Sequence, residues 1–130
     1  MKASYLKRYP LSHLVTAVII VLSLAPIPEM PQLPDVKLLD KWVHFVMYGG
    51  LCLIIWWEYL RQHRTTNWKR AGIGAIVLPI VLGGLLELGQ AYLTTCRSGE
   101  WMDFVADSVG VLLALVVAYL VLAWIYPRRN

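Results

Sequence analysis

Four long apolar stretches leave this chain few ways to fold outside a bilayer. A helix needs roughly 20 mostly apolar residues to cross hydrocarbon. The stretches run over residues 11–25, 42–60, 71–93 and 102–126 of 130. Hydrophobic residues make up 58% of the chain and charged ones only 15%, too few to cover a soluble domain of this size. The expected fold class is all-α, an integral membrane four-helix transmembrane bundle, forming a single domain over 1–130. The first stretch is the shortest. Lys7 and Arg8 precede it, and Ser23-Leu24-Ala25 looks like a signal-peptide cleavage site. Pro26 follows at once and blocks processing, so the stretch is read as a retained first span.

Lysines and arginines orient the spans. Nine of the twelve lie in the N-terminus, the second loop and the C-terminus. Lys37, Lys41 and Arg97 lie in the first and third loops. The positive-inside rule then puts both termini in the cytoplasm, and the basic residues need no nucleic acid to explain them. Trp42, Tyr92 and Trp101 fall at the outer interface, and Tyr5, Tyr9, Trp68, Trp124 and Tyr126 near the inner one, as ordinary anchors. The first outer loop holds Pro26, Pro28, Pro31 and Pro34, which predicts a stiff extended strap. Cys52 lies within an apolar run and Cys96 in a loop, at depths unsuited to a disulfide. Cys52 is read as a small packed residue, and no cysteine pair has metal-site spacing.

Ionisable groups in or beside hydrocarbon are expensive, so their positions are the main functional signal. Asp40, His44 and Tyr48 are spaced i, i+4, i+8 and share one helical face, with Lys41 beside them. Asp40 is expected to N-cap the second span, with Lys41 snorkelling. Glu87 and Gln90 enter the outer part of the third span, with Thr94 following on the same face. Pro79 and Gly83-Gly84 precede them and are expected to bend that helix. Asp103 suits an N-cap of the fourth span, whereas Asp107 lies one turn deeper. Ala106, Gly110, Ala114 and Ala118 form a small-residue stripe that lets helices approach closely. Arg97 can pair with the carboxylates or offer its guanidinium fork to a phosphate. Glu58 is expected to pair with Arg61 or His63 at the inner boundary.

Asp40-Lys41-x-x-His44-Phe45-x-x-Tyr48, Glu87-x-x-Gln90, then Arg97 and Asp103-x-x-x-Asp107-x-x-Gly110, resemble the ordered motifs of the VanZ-like family. The Ser23-Leu24-Ala25-Pro26 ending of the first span is also similar. The resemblance covers nearly the whole chain. Many members carry Asn at the place of Asp107, which implies that the exact charge there is not essential to the family. The resemblance implies a small four-helix protein of the bacterial cytoplasmic membrane, and the name-giving member confers resistance to the glycopeptide teicoplanin.

Three functions are consistent with these residues. The first is a polar site at the extracytoplasmic face that binds or acts on cell-envelope head groups, lipid-linked or glycopeptide-related. Its ligand-binding candidates are Asp40, Lys41, His44, Tyr48, Glu87, Gln90, Arg97, Asp103 and Asp107. Arg97 and Lys41 would hold a phosphate; the acids and Gln90 would hold donors or a cation. The second is a membrane enzyme acting on a lipid-linked phosphate, with His44 as general base and Glu87 or Asp107 as its partner. A divalent metal is optional there, and no established nucleophile motif, HExxH or phosphate loop accompanies these residues. The third is a small transporter, disfavoured because the first span lacks an acid and the polar groups gather at one side rather than the midplane.

Overall fold

The computed structural model describes residues 5–25, 34–63, 67–93 and 101–125, and all regular structure among them is helical. The order is α1 (Tyr5–Arg8), α2 (Pro10–Leu24), α3 (Pro34–Gln62), α4 (Trp68–Gly72), a π-helical turn (Ile73–Val77), α5 (Leu78–Leu93) and α6 (Trp101–Val117). A second π turn (Ala118–Leu122) and α7 (Ala123–Ile125) follow. Three segments are long and apolar enough to cross a membrane: Leu38–Gln62, Lys69–Leu93 and Trp101–Val121. They mark a membrane protein. The fourth expected span, α2, is apolar but has only 15 residues. At 1.5 Å per residue it covers about 22 Å, short of a hydrocarbon core of about 30 Å.

Helix α3 starts earlier than the apolar pattern predicts. Pro34, expected at the end of an extended strap, is its first residue; residues 26–33 lie outside the described residues. Proline fits the first helical position because its ring presets φ and its missing N–H would be unpaired there anyway. Asp40 therefore lies within the helix rather than at its N-cap. Its carboxylate is half-exposed, one turn before His44. Asp103 also sits in a first helical turn, two residues after Trp101, rather than at the cap. A carboxylate there still meets the positive end of the helix dipole.

The chain from α4 to α5 is continuous. Asn67 caps it by accepting a hydrogen bond from the Arg70 N–H at 3.2 Å. Pro79 has no N–H to give and its ring crowds the carbonyl four residues back. The turn just before it widens to π over Ile73–Val77. Such a widened turn is one way a helix absorbs this conflict.

Among the described residues, helices α3 and α6 share the most extensive packing. Gly110, Ala114 and Ala118 of the small-residue stripe are buried, and Ala106 is half-buried. A Cβ on Gly110 would overlap the Phe45 carbonyl oxygen, and one on Gly49 would lie 3.0 Å from the Gly110 oxygen. Only glycine permits that backbone approach. Around the seam, Tyr48, Leu51, Cys52 and Trp56 of α3 pack with Val111 and Ala114 of α6 and Ala75 of the π turn. Cys52 is fully buried, its sulfur 3.7 Å from the Val111 carbonyl.

Glu58 corrects one expectation. It does not pair with Arg61 or His63. Its carboxylate accepts from the Leu11 N–H at 2.8 Å, the Ser12 N–H at 3.1 Å and the Ser12 hydroxyl at 2.5 Å. The first N–H groups of a helix have no partners within it. Pro10 opens α2, so Leu11 and Ser12 carry its first free donors. A carboxylate is the favoured acceptor there. Arg61 instead sits over the Trp57 ring at 4.7 Å, and His63 stacks on Tyr59 at 4.2 Å. Glu58→Ala would leave two N–H groups and a buried hydroxyl unpaired. Hydrogen bonds to a charged group contribute about 1.5–3 kcal/mol each, so a loss of about 3 kcal/mol is expected in thermal unfolding in detergent. Glu58→Gln, which keeps an acceptor, should lose less. Equal stability of Glu58→Ala and the parent chain would refute the capping role.

Candidate functional site

The i, i+4 spacing of His44 and Tyr48 on α3, and of Asp103 and Asp107 on α6, puts each pair on one helical face. The α3–α6 seam turns those faces toward each other. His44 Nδ1 lies 2.9 Å from Asp107 Oδ1, and both residues are buried. With the carboxylate accepting, Nδ1 carries the proton and Nε2 is left as the second functional nitrogen. Nε2 is 3.8 Å from Asp103 Oδ2 and 4.0 Å from Asp40 Oδ1. Lys41 Nζ lies 3.4 Å from Asp103 Oδ1. A polar chain thus runs from half-exposed Asp40 and Lys41 through Asp103 and His44 to fully buried Asp107.

Helix α5 closes the inner side. A Cβ on Gly83 would lie 2.8 Å from Asp107 Oδ2, so the glycine lets α5 come up against the carboxylate. One turn further along α5 is half-buried Glu87. Donor atoms of His44, Glu87 and Asp107 lie within 4.8 Å of one another, and so do those of Asp40, His44 and Asp103. His44 is common to both groups. Tyr48 forms a floor, 1% exposed, its ring parallel to that of His44 with centroids 6.3 Å apart. Asp107 Oδ2 has no hydrogen-bond partner among the described residues, although the residue is 0% exposed. Buried polar atoms are nearly always paired, so this oxygen calls for an explanation.

Comparisons with protein-family models, curated proteins and solved structures gave no match. The chemistry of the site therefore rests on its own geometry. A histidine held by a buried carboxylate is oriented to take or share a proton. A histidine with two carboxylates at these separations can also hold a divalent cation.

Asp40, Lys41, His44, Tyr48, Glu87, Asp103 and Asp107 come from three helices to one end of the bundle. Gln90 is buried, and its side-chain nitrogen donates to the Ser23 carbonyl at 2.9 Å. That bond satisfies a carbonyl at the end of α2 and ties α2 to α5, a structural task that the spacing of Gln90 from Glu87 does not signal. Arg97 and Thr94 lie outside the described residues. The sequence presents Gly83 only as a helix-bending residue. It stands one turn before Glu87, and that i, i+4 relation was the available signal that it shares the polar face.

Proposed function

We propose that the chain is a VanZ-like protein of the bacterial cytoplasmic membrane with four spans and both termini inside. Its polar site lies at the extracytoplasmic face and binds, or acts on, the head group of a lipid-linked or cell-wall envelope component. The lysine and arginine distribution supports this orientation. One observation carries the binding reading: a buried Asp107 oxygen with no hydrogen-bond partner among the described residues stands beside a buried His44–Asp107 pair in an apolar bundle. Carboxylates kept at such cost are characteristic of functional sites in membranes. Half-exposed Lys41 and Asp40 give the site a mouth through which a head group reaches the buried acceptors. A part in glycopeptide resistance, such as resistance to teicoplanin, rests on the family resemblance.

The test replaces His44, Glu87 and Asp107 singly by Ala and measures envelope-antibiotic susceptibility at matched protein levels. Each variant is expected to restore the susceptibility of cells lacking the protein. Three variants that all protect like the parent chain would sink the site.

The His44–Asp107 geometry favours a second reading, an enzyme acting on a lipid-linked phosphate. Asp107 would orient the imidazole, and Nε2 would accept a proton from an attacking water or hydroxyl. Purified protein should then release head groups from a panel of lipid-linked phosphates, and His44→Ala should not. No turnover by the parent chain on that panel would reject the enzyme and leave the binding site.

A further inference from the structure

The end of the bundle opposite the polar site contains a cavity of about 620 Å³ between α2, α3 and the α4–α5 segment. Pockets for drug-sized ligands run roughly 300–1,000 Å³, so this one is large enough to hold a molecule. Gly74, in the π turn before Pro79, lines the cavity, and a Cβ there would meet nothing within 4 Å. Widened turns of this kind are frequent at functional sites.

Its two ends differ chemically. Arg8, His13, His63 and Arg70 line the end near the helix termini, and no carboxylate among the described residues lines any part of it. Glu58, the buried acid of this region, is engaged with the start of α2. Among the described residues neither Arg8 nor Arg70 has an acidic partner. His13 Nδ1 lies 2.6 Å from the Tyr9 carbonyl and His63 Nδ1 2.9 Å from the Tyr59 carbonyl. A carbonyl only accepts, so both Nδ1 atoms act as donors to the backbone. The other end is apolar, a groove lined by buried Leu51, half-buried Leu82 and exposed Leu78. From Arg70 to Leu82 the helix covers about 18 Å.

We propose that this cavity binds an anionic amphiphile with a phosphate head and one acyl chain accommodated inside. The head lies against Arg8 and Arg70, whose planar guanidinium groups match phosphate oxygens. The chain lies along Leu78 and Leu82. The positive-inside rule accounts for arginines at this boundary but not for an apolar groove running from them, open on the side of exposed Leu78. This site is separate from the polar site and does not depend on its proposed function.

The test titrates a tail-labelled lysophosphatidic acid, and its choline-headed counterpart, into the full chain in neutral detergent. The parent chain should bind the phosphate-headed lipid saturably and roughly tenfold more tightly than the choline-headed one, a difference of about 1.4 kcal/mol. The double variant Arg8→Gln/Arg70→Gln should lose that preference. Gly74→Leu, which fills the space, should weaken both lipids. Excess inorganic phosphate should leave the lipid bound, because the tail contributes to binding. Equal affinity of the parent chain for the two heads, unaltered binding in Gly74→Leu, or displacement by inorganic phosphate overturns the proposal. If either variant fails to purify as a single species, the head-group comparison on the parent chain still decides.

Discussion

Gly110→Ala is expected to open the α3–α6 seam and to be among the most damaging single substitutions in the chain. The added methyl would overlap the Phe45 carbonyl oxygen, which is backbone and cannot rotate away. The Gly110 carbonyl is itself in close contact with Gly49. Relief requires the two helices to separate along a seam that also includes buried Ala114 and Ala118. Overpacking a well-fitted core costs typically 1–3 kcal/mol, and a backbone clash belongs at the upper end, about 3 kcal/mol. In lipid, close packing is the main force holding such helices together. The measurement is thermal unfolding in detergent, with the monodisperse fraction recorded beside it. Gly50→Ala is the matched control, because a Cβ there meets nothing within 4 Å. It should hold or raise stability, since alanine is favoured over glycine in a helix by roughly 1 kcal/mol. Similar melting for the two variants would show that the helices are not this close.

Asp107→Ala should lose both stability and function. It removes the Nδ1 partner of buried His44 and leaves a space beside Gly83. Breaking a buried pair by deleting one member costs about 3–5 kcal/mol. Asp107→Asn keeps an oxygen acceptor of the same shape, so it should retain most of the stability. If Asp107 served only to hold the imidazole, the asparagine variant would retain the proposed envelope phenotype; the binding reading, which rests on an Oδ2 with no partner among the described residues, expects the phenotype to be lost. A full loss of phenotype in Asp107→Asn with normal melting would assign a functional role to the charge. Both variants are compared by melting in detergent and by antibiotic susceptibility at matched expression.

Helical periodicity was enough to group these residues by face. Asp40, His44 and Tyr48 recur every fourth position, as do Asp103 and Asp107, and the expense of charges in apolar segments singled them out. What periodicity cannot specify is which face meets which. The His44–Asp107 bond joins residues 63 positions apart, and the Gln90–Ser23 bond 67. Glu58 shows the same difficulty: Arg61 and His63 are its sequence neighbours, whereas its partners are 46 and 47 positions away at the start of α2. Helix starts are equally hidden from the apolar pattern. Asp40 resembled a cap only because the apolar pattern begins at Trp42, while the helix itself begins at Pro34. Pro79 announced a disturbance of α5, but the π turn that absorbs it is a backbone response with no residue signature of its own. The length of α2 was the weakest of the four spans in the sequence and is short in the structure as well.

His44 and Asp107 form one buried unit on which the site is built. A double-mutant cycle on unfolding free energy in detergent, using His44→Ala, Asp107→Ala and both together, addresses it directly. The expected result is a coupling above about 1 kcal/mol, as found for residues in contact within one network. Glu58→Ala with Asp107→Ala, at opposite ends of the bundle, should add to within roughly 0.5 kcal/mol. Simple additivity of His44→Ala and Asp107→Ala would contradict the shared site.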